Sequence, residues 1–368
     1  MKDFRTLLLA AVVGLTAGAC TKDIDFHRDD IKPLLMMNSQ MTVGDTLHLV
    51  YLAISKDVSI EKISSGAVKC YVNDELAAEG VLDERPDETF ITDENTDVDG
   101  FKAGDTRQTR FSFKADFKPG DVVRIEAEAN GGTYKAHSEV IVPKAPAIDT
   151  PDTICQIKPG HESVYQYKIR AKGKDIAGEK NYYRIKAGYS TKYTYFIKET
   201  EYSDARQVVT TEPFEYLEID KGNDPILNDG APAEELDLAG ASVNSFNVFS
   251  DKMFADGSFN IGFTVDDFVT DSAPDVITSE KERIESELAF SVVVASLSAD
   301  EYHYLKALSI YYELDGDTSL TEPVSFPNNV EGGVGIVSVC TPAVATVMFT
   351  RTYGPRDNIW TYGLSTDI

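Results

Sequence analysis

A two-residue alternation of apolar and polar side chains is the feature that most restricts the fold of this chain. Within residues 107–143, Phe111 and Phe113 alternate with polar residues, and the stretch 123–129 repeats the pattern. Two turns, a Pro-Gly turn at 118–121 and an Asn-Gly-Gly turn at 130–132, separate the apolar runs. Period-two alternation puts successive side chains on opposite faces of a strand, so the segment predicts β-hairpins with one buried face.

The same alternation indicates two β-rich domains. It recurs at 47–51 and 68–72, so residues 33–147 are predicted to form an immunoglobulin-like or transthyretin-like β-sandwich. A Pro-punctuated linker at 144–151 then predicts a boundary, and residues 148–368 are expected to form a second β-rich domain. Its strands are predicted at 164–171, 182–187, 242–249, 258–265, 284–294, 346–352 and 360–363.

One helix interrupts the strands of the second domain. Residues 298–301 read as a capping box, in which Ser298 and Glu301 satisfy the first free backbone amides. Helical spacing then predicts a helix over 299–312 that packs its apolar stripe on the sheet. The stripe consists of Tyr304, Leu305, Leu308, Tyr311 and Tyr312.

The N-terminus indicates export and a lipid anchor. Lys2 and Arg5 precede an apolar run at 7–15, which is shorter than the roughly 20 residues that span a bilayer. The segment Ala-Gly-Ala before Cys20 resembles a bacterial lipobox, so residues 1–19 are predicted to be a signal peptide and Cys20 to be acylated. Residues 20–32 would form a polar tether. The alternative is an ordinary secreted protein cleaved at the same A-x-A sequence.

The composition argues against nucleic-acid binding and against a scaffold held together by several disulfides. With 35 basic and 61 acidic side chains among 368 residues, the net charge of −26 argues against nucleic-acid binding. Beyond Cys20, the chain has Cys70, Cys155 and Cys340, which allow at most one disulfide in any of three pairings. The five histidines are widely spaced and indicate no zinc site.

Several stretches together resemble a known family. They are the signal and lipobox, the first sandwich, the sequence 223–227, the capped helix, and the sequences 322–324 and 328–336. This combination is similar to a large family of Bacteroidota outer-membrane lipoproteins that carry a domain of unknown function, number 4249. The resemblance implies an envelope accessory protein beside a TonB-dependent outer-membrane receptor, and it supplies no catalytic residues.

The residues themselves indicate no enzyme chemistry, but an acidic segment suggests a cation site. No nucleophile elbow, zinc-protease motif or phosphate-binding loop is present in the sequence. Asn95, Asp97 and Asp99, with Gly100 next, have the alternating oxygen ligands and turn glycine of a calcium loop. Thr106 replaces the usual glutamate, and Asp105 is the substitute ligand; the alternative is a solvated acidic loop.

A run of aromatic residues suggests a ligand-stacking face. Tyr193 and Tyr195 lie two residues apart, so on a strand they share one face, whereas Phe196 points to the other. Tyrosine rings displayed in this way can stack on sugar rings, which makes a glycan the candidate ligand. The alternative is ordinary cross-strand packing.

These features together predict a lipid-anchored, non-enzymatic envelope protein. It would lie at the outer membrane, facing the cell surface or alternatively the periplasm, and would help a TonB-dependent receptor to capture a ligand. No cofactor is expected apart from the calcium candidate. A fimbria-like adhesive subunit is one alternative, and a hydrolase that uses two close carboxylates on an extracellular polymer is another.

Overall fold

The computed structural model describes residues 32–56, 59–84, 108–161, 164–197, 206–222, 224–228, 244–268, 284–313, 325–353 and 362–363. Within these residues the fold is mainly β, with three sheets, one α-helix and one short 3-10 helix. The predicted fold class is therefore confirmed. Cys20 and the candidate calcium ligands Asn95, Asp97, Asp99 and Asp105 lie outside the described residues.

The largest sheet contains strands from both halves of the chain. Its thirteen described strands are β1 (Leu34–Thr42), β2 (Leu47–Lys56), β3 (Ser59–Glu61), β6 (Val81–Leu82), β7 (Thr109–Lys114), β13 (Tyr182–Ile197), β14 (Arg206–Thr211), β15 (Glu215–Leu217), β16 (Val248–Ser250), β18 (Ile284–Leu297), β19 (Gly333–Val334), β20 (Val337–Tyr353) and β21 (Tyr362–Gly363). The main path runs β14-β13-β18-β20-β1-β2-β7-β6, and the short strands pair at its sides.

Two further sheets have four strands each. One has the order β5-β4-β8-β9, and in the other β12 pairs with β10, β11 and β17. Their strands are β4 (Gly66–Val72), β5 (Glu75–Glu79), β8 (Val122–Ala129), β9 (Tyr134–Ile141), β10 (Ala147–Ile148), β11 (Asp152–Ile157), β12 (Val164–Lys174) and β17 (Ser258–Phe268). The predicted hairpin at 130–132 is confirmed, because β8 and β9 flank it and Asn130, Gly131 and Gly132 all have positive φ.

The first sandwich forms as its alternation predicts. Phe111 and Phe113 of β7 are buried and belong to the same hydrophobic core as Val123 and Ile125 of β8. The burial follows the expected period, since β9 reads alternately exposed and buried for most of its length. The same core also contains Val330, Val337 and Val339, which come from the far end of the chain.

A parallel pairing joins the two ends of the sequence. Ser39 of β1 lies opposite Val337 of β20, and Thr42 lies opposite Cys340. The large sheet therefore continues from the first predicted domain into the second. The boundary near residue 147 stays a prediction.

The segment that leads into this pairing, residues 328–336, is here named the strand-joining loop. The side-chain oxygen of Asn328 accepts hydrogen bonds from the backbone N–H groups of Val330 and Gly335 at 3.1 and 3.0 Å. Asn329 makes two bonds to the backbone of Val337, at 2.7 and 2.9 Å. At Gly335, φ is +138°, and a Cβ would lie 2.2 Å from the Met37 carbonyl oxygen. We call this loop a structural clamp, because local side-chain hydrogen bonds fix it and the backbone at Gly335 leaves no room for a Cβ.

The helix, α1 (Ala299–Glu313), packs on one face of the large sheet, against β13, β16 and β20. Leu305 is buried, and Tyr304, Leu308 and Tyr312 pack on the same cluster, which confirms the predicted stripe except at the exposed Tyr311. Ser298 accepts a 3.1 Å bond from the N–H of Glu301, as a capping residue should. The opposite sheet face packs on the sheet of β12 and β17 through a second core.

One strand prediction is wrong for four of its six described residues. The segment 242–249 was expected to be extended, but 244–247 forms a turn and β16 contains only its last two residues. Asn244 explains the difference, because its side chain bonds the backbone of Leu227 and, twice, of Val248. A local side-chain bond of this kind competes with strand pairing, and Asn247 accordingly has a positive φ of 53°.

Candidate functional site

A cavity of about 410 Å³ opens where β13, the end of β16, the 3-10 helix Asp251–Met253 and the first turn of α1 meet. We call it the lysine–tyrosine pocket. Its polar and aromatic lining residues are Lys180, Tyr182, Ser250, Lys252, Tyr302 and His303. Ile226 and Met253 complete the lining.

Chain order explains why three aromatic rings meet in this pocket. Tyr182 begins β13 and lies opposite Leu297, the last residue of β18, and α1 begins two residues later. The first turn of the helix therefore places Tyr302 and His303 on Tyr182, with ring centroids 4.6 and 5.6 Å from it. Tyr182 and Tyr302 are only 9% and 8% exposed, so they form a floor, whereas the His303 ring is exposed.

A second structural clamp holds the apolar side of the pocket. Both carboxylate oxygens of Asp224 accept backbone hydrogen bonds: one from Ile226 and Leu227 at 3.0 and 3.1 Å, the other from Gly262 at 2.8 Å. We call residues 224–228 the Asp224 turn. Because this turn is tied to β17, Ile226 is fixed at the pocket wall.

The pocket concentrates positive charge in an acidic protein. The Lys180 amine lies 5.1 Å from the Tyr182 ring centroid, within the range of a cation–π contact. Its hydrogen bond with Tyr182 is the main cause that raises the pKa of Lys180, and Asp251 contributes less. Asp251 itself accepts a 2.8 Å bond from the Asn181 N–H. With Lys252, the described lining of the pocket holds two ammonium groups and no carboxylate.

The first turn of α1 also carries a buried carboxylate, next in the chain to the pocket residue Tyr302. Glu301 is 5% exposed, and its Oε2 has no hydrogen-bond partner among the described residues. Burial raises the pKa of Glu301 to about 7, against the opposing effects of Arg184, the Ser338 hydroxyl and Lys186. The group therefore changes charge near neutral pH.

A second cavity, of about 670 Å³, lies in the first sandwich and is lined by both partners of a buried ion pair. Arg110 and Asp83 form an ion pair there at 3.2 Å, with side chains only 7% and 2% exposed. Asp83 also donates its backbone N–H to the Arg110 carbonyl at 2.9 Å. The pair links the end of β6 to β7. Replacing either partner alone would leave an uncompensated buried charge and would be strongly destabilising.

Sequence comparison identifies the family. The model described as "Domain of unknown function (DUF4249)" matches residues 21–346. This chain belongs to that family. No curated protein matches the sequence.

Solved structures add little for this DUF4249 protein. A DUF4785 family protein from Legionella pneumophila subsp. pneumophila str. Philadelphia 1 has 9% identity and a TM-score of 0.21, and the match covers 70% of this chain and 51% of that one. Yersinia pseudotuberculosis adhesin InvE has 9% identity and a TM-score of 0.17, with 71% and 55% covered. The chain thus spans about half the length of both, and scores this low support no inference.

The residues predicted for ligand stacking lie elsewhere in the DUF4249 chain. Tyr193 is half-buried on β13, and Tyr195 is on the same strand, although its side chain is not described. Tyr193 is eleven residues beyond Tyr182, or roughly 35 Å along the strand. The stacking site therefore stays a prediction separate from the pocket.

Most pocket residues of this DUF4249 protein had no signal in the sequence. The capping box located the start of α1, but no periodic pattern indicated that Lys180, Lys252 and His303 would meet.

Within the described ranges, no group of three or more His, Cys, Asp and Glu side chains could hold a metal ion, and no helix is long and apolar enough to cross a membrane. Cys70, Cys155 and Cys340 form no disulfide.

Proposed function

We propose that this DUF4249 protein is a lipid-anchored, non-enzymatic accessory of the bacterial outer membrane. Its role would be to capture a ligand beside a TonB-dependent receptor, on the cell surface of a member of the Bacteroidota. The N-terminal sequence supports the anchor, because the signal-like segment 1–19 ends directly before Cys20 and the family match begins at residue 21.

The lysine–tyrosine pocket is the observation that carries the ligand-capture part. Its volume lies within the range of small-molecule sites, and its walls combine charge, hydroxyl groups, rings and apolar side chains. These are groups that bind and orient a ligand. The lining comes from four separate parts of the chain, at 180–182, 226, 250–253 and 302–303.

The anchor would make a modest interface sufficient. A protein confined to the membrane plane near its receptor meets it at a high effective concentration. A ligand that dissociates from the pocket would then be released close to the receptor. The proposed mechanism is presentation rather than chemical conversion.

The test is purification of the full-length lipoprotein from mildly solubilised membranes, followed by mass spectrometry of bound proteins. Wild type is compared with Cys20→Ser, and acylation is followed with an alkyne-labelled fatty acid. We expect label on wild type alone and a TonB-dependent receptor in near-stoichiometric amount. Absence of both label and receptor would overturn the proposal, and a ladder of its own multimers would favour an adhesive subunit.

A further inference from the structure

The lining of the lysine–tyrosine pocket indicates a class of ligand. We infer that the pocket binds a small organic anion, with its acidic group held by Lys180 and Lys252 and its carbon frame against Met253 and the His303 ring. This inference rests on the ligand-capture part of the proposed function and names the chemistry of that ligand.

The local charge is the first argument. Among the described residues that line the pocket, Lys180 and Lys252 are basic and none is acidic, although the chain as a whole has a net charge of −26. Elsewhere, lysines commonly lie within reach of acids, as in the pairs of Lys172 with Asp152 and Lys192 with Glu287. Asp251, which interacts with Lys180, carries a single negative charge and cannot neutralise both amines.

The walls are the second argument, because they suit more than a bare ion. Met253 is 43% exposed and His303 is exposed, so both present surface to a ligand over the closed floor of Tyr182 and Tyr302. The Ser250 hydroxyl adds a group that can donate or accept a hydrogen bond. A cavity of about 410 Å³ has room for one or two sugar-sized rings.

The third argument is that the residues that fix the pocket are different from the two lysines that would bind the ligand. The Asp224 turn fixes Ile226, and the Ser298 cap fixes the helix start that carries Tyr302 and His303. The lysines are exposed and belong to neither clamp. Removing their amines should therefore change binding without changing the fold.

The test uses full-length lipoprotein in detergent and calorimetry with matched pairs of probes. Each pair has the same ring with and without an acidic group: galacturonate and its methyl ester, N-acetylglucosamine 6-sulfate and N-acetylglucosamine, and glucose 6-phosphate and glucose. Inorganic phosphate is the probe for the bare ion. The three acids separate carboxylate, sulfate and phosphate as the group that is recognised.

We expect at least one acid to bind at least 10-fold more tightly than its neutral partner. The double variant Lys180→Ala/Lys252→Ala should weaken that binding at least 10-fold. The control Lys69→Ala/Lys168→Ala removes the same charge from exposed sites on β4 and β12 and should leave it unchanged. No binding of any acid at millimolar concentration, equal binding of a neutral partner, or equal losses in both double variants would overturn the inference.

The two proposals fail in distinguishable ways. If the receptor copurifies but no acid binds, the accessory role stands and the ligand class is wrong. If an acid binds through the two lysines but no receptor is found, the ligand class stands and the partner is wrong.

Discussion

Polar side chains bond to the backbone in the strand-joining loop, whereas in the lysine–tyrosine pocket they line a cavity. In the loop, Asn328 and Asn329 are committed to the backbone of the residues that follow them. In the pocket, Lys180 and Lys252 line a cavity instead. The clamps and the candidate binding groups are therefore separate sets of residues, so mutations should divide into those that lower stability and those that weaken binding.

The largest loss of stability is expected from Gly335→Ala. The new Cβ would meet the Met37 carbonyl in a backbone conformation that alanine rarely adopts, at a cost of about 4 kcal/mol. Gly44→Ala is the control, because φ there is +100° but no atom lies within 4 Å of the added Cβ. It should cost only about 1 kcal/mol in urea unfolding. Equal costs would mean that the loop does not clamp β1.

A somewhat smaller loss is expected from Asp224→Ala. The change leaves three backbone N–H groups without their acceptor, and we expect unfolding free energy to fall by about 3 kcal/mol. Asp149→Ala, at an exposed position, should change it by less than about 0.5 kcal/mol. A similar result for both variants would show that the Asp224 turn is not a clamp.

Glu301 is neither a clamp residue nor a lining residue of the pocket. Its ionisation should make the free energy of unfolding depend on pH. Because its pKa rises from 4.5 to about 7 on folding, the native state takes up the proton first as pH falls. Stability should therefore increase from about pH 7 down to about pH 5, by roughly 2 kcal/mol relative to Glu301→Gln. Arg184 and Lys186 of β13 and Cys340 of β20 are the other groups near it. Parallel pH profiles of the two proteins would contradict this.

The smallest effect on stability is expected at the pocket itself. Lys180→Ala/Lys252→Ala should change unfolding free energy by no more than about 0.5 kcal/mol, since both side chains are exposed. Urea unfolding of this variant beside Asp224→Ala measures the contrast directly. A loss of several kcal/mol would place the lysines among the clamps.

Local patterns were sufficient for most of the elements. Alternation located β7, β8 and β9, and the cap and stripe located α1 to within one residue, because both signals depend on neighbours in the chain. The same reasoning was wrong at 244–247, where the Asn244 side chain bonds to Leu227, seventeen residues away. Nothing in the local pattern shows such a partner.

Periodicity and turn residues are enough to predict the β-rich class, the first sandwich and the capped helix. The parallel pairing of β20 with β1 is visible only in the folded chain, and so is the cavity that residues as distant as Lys180 and His303 both line. Both depend on contacts between residues more than a hundred positions apart. Such contacts are selected by the packing of whole sheets and leave no period in the chain that forms them.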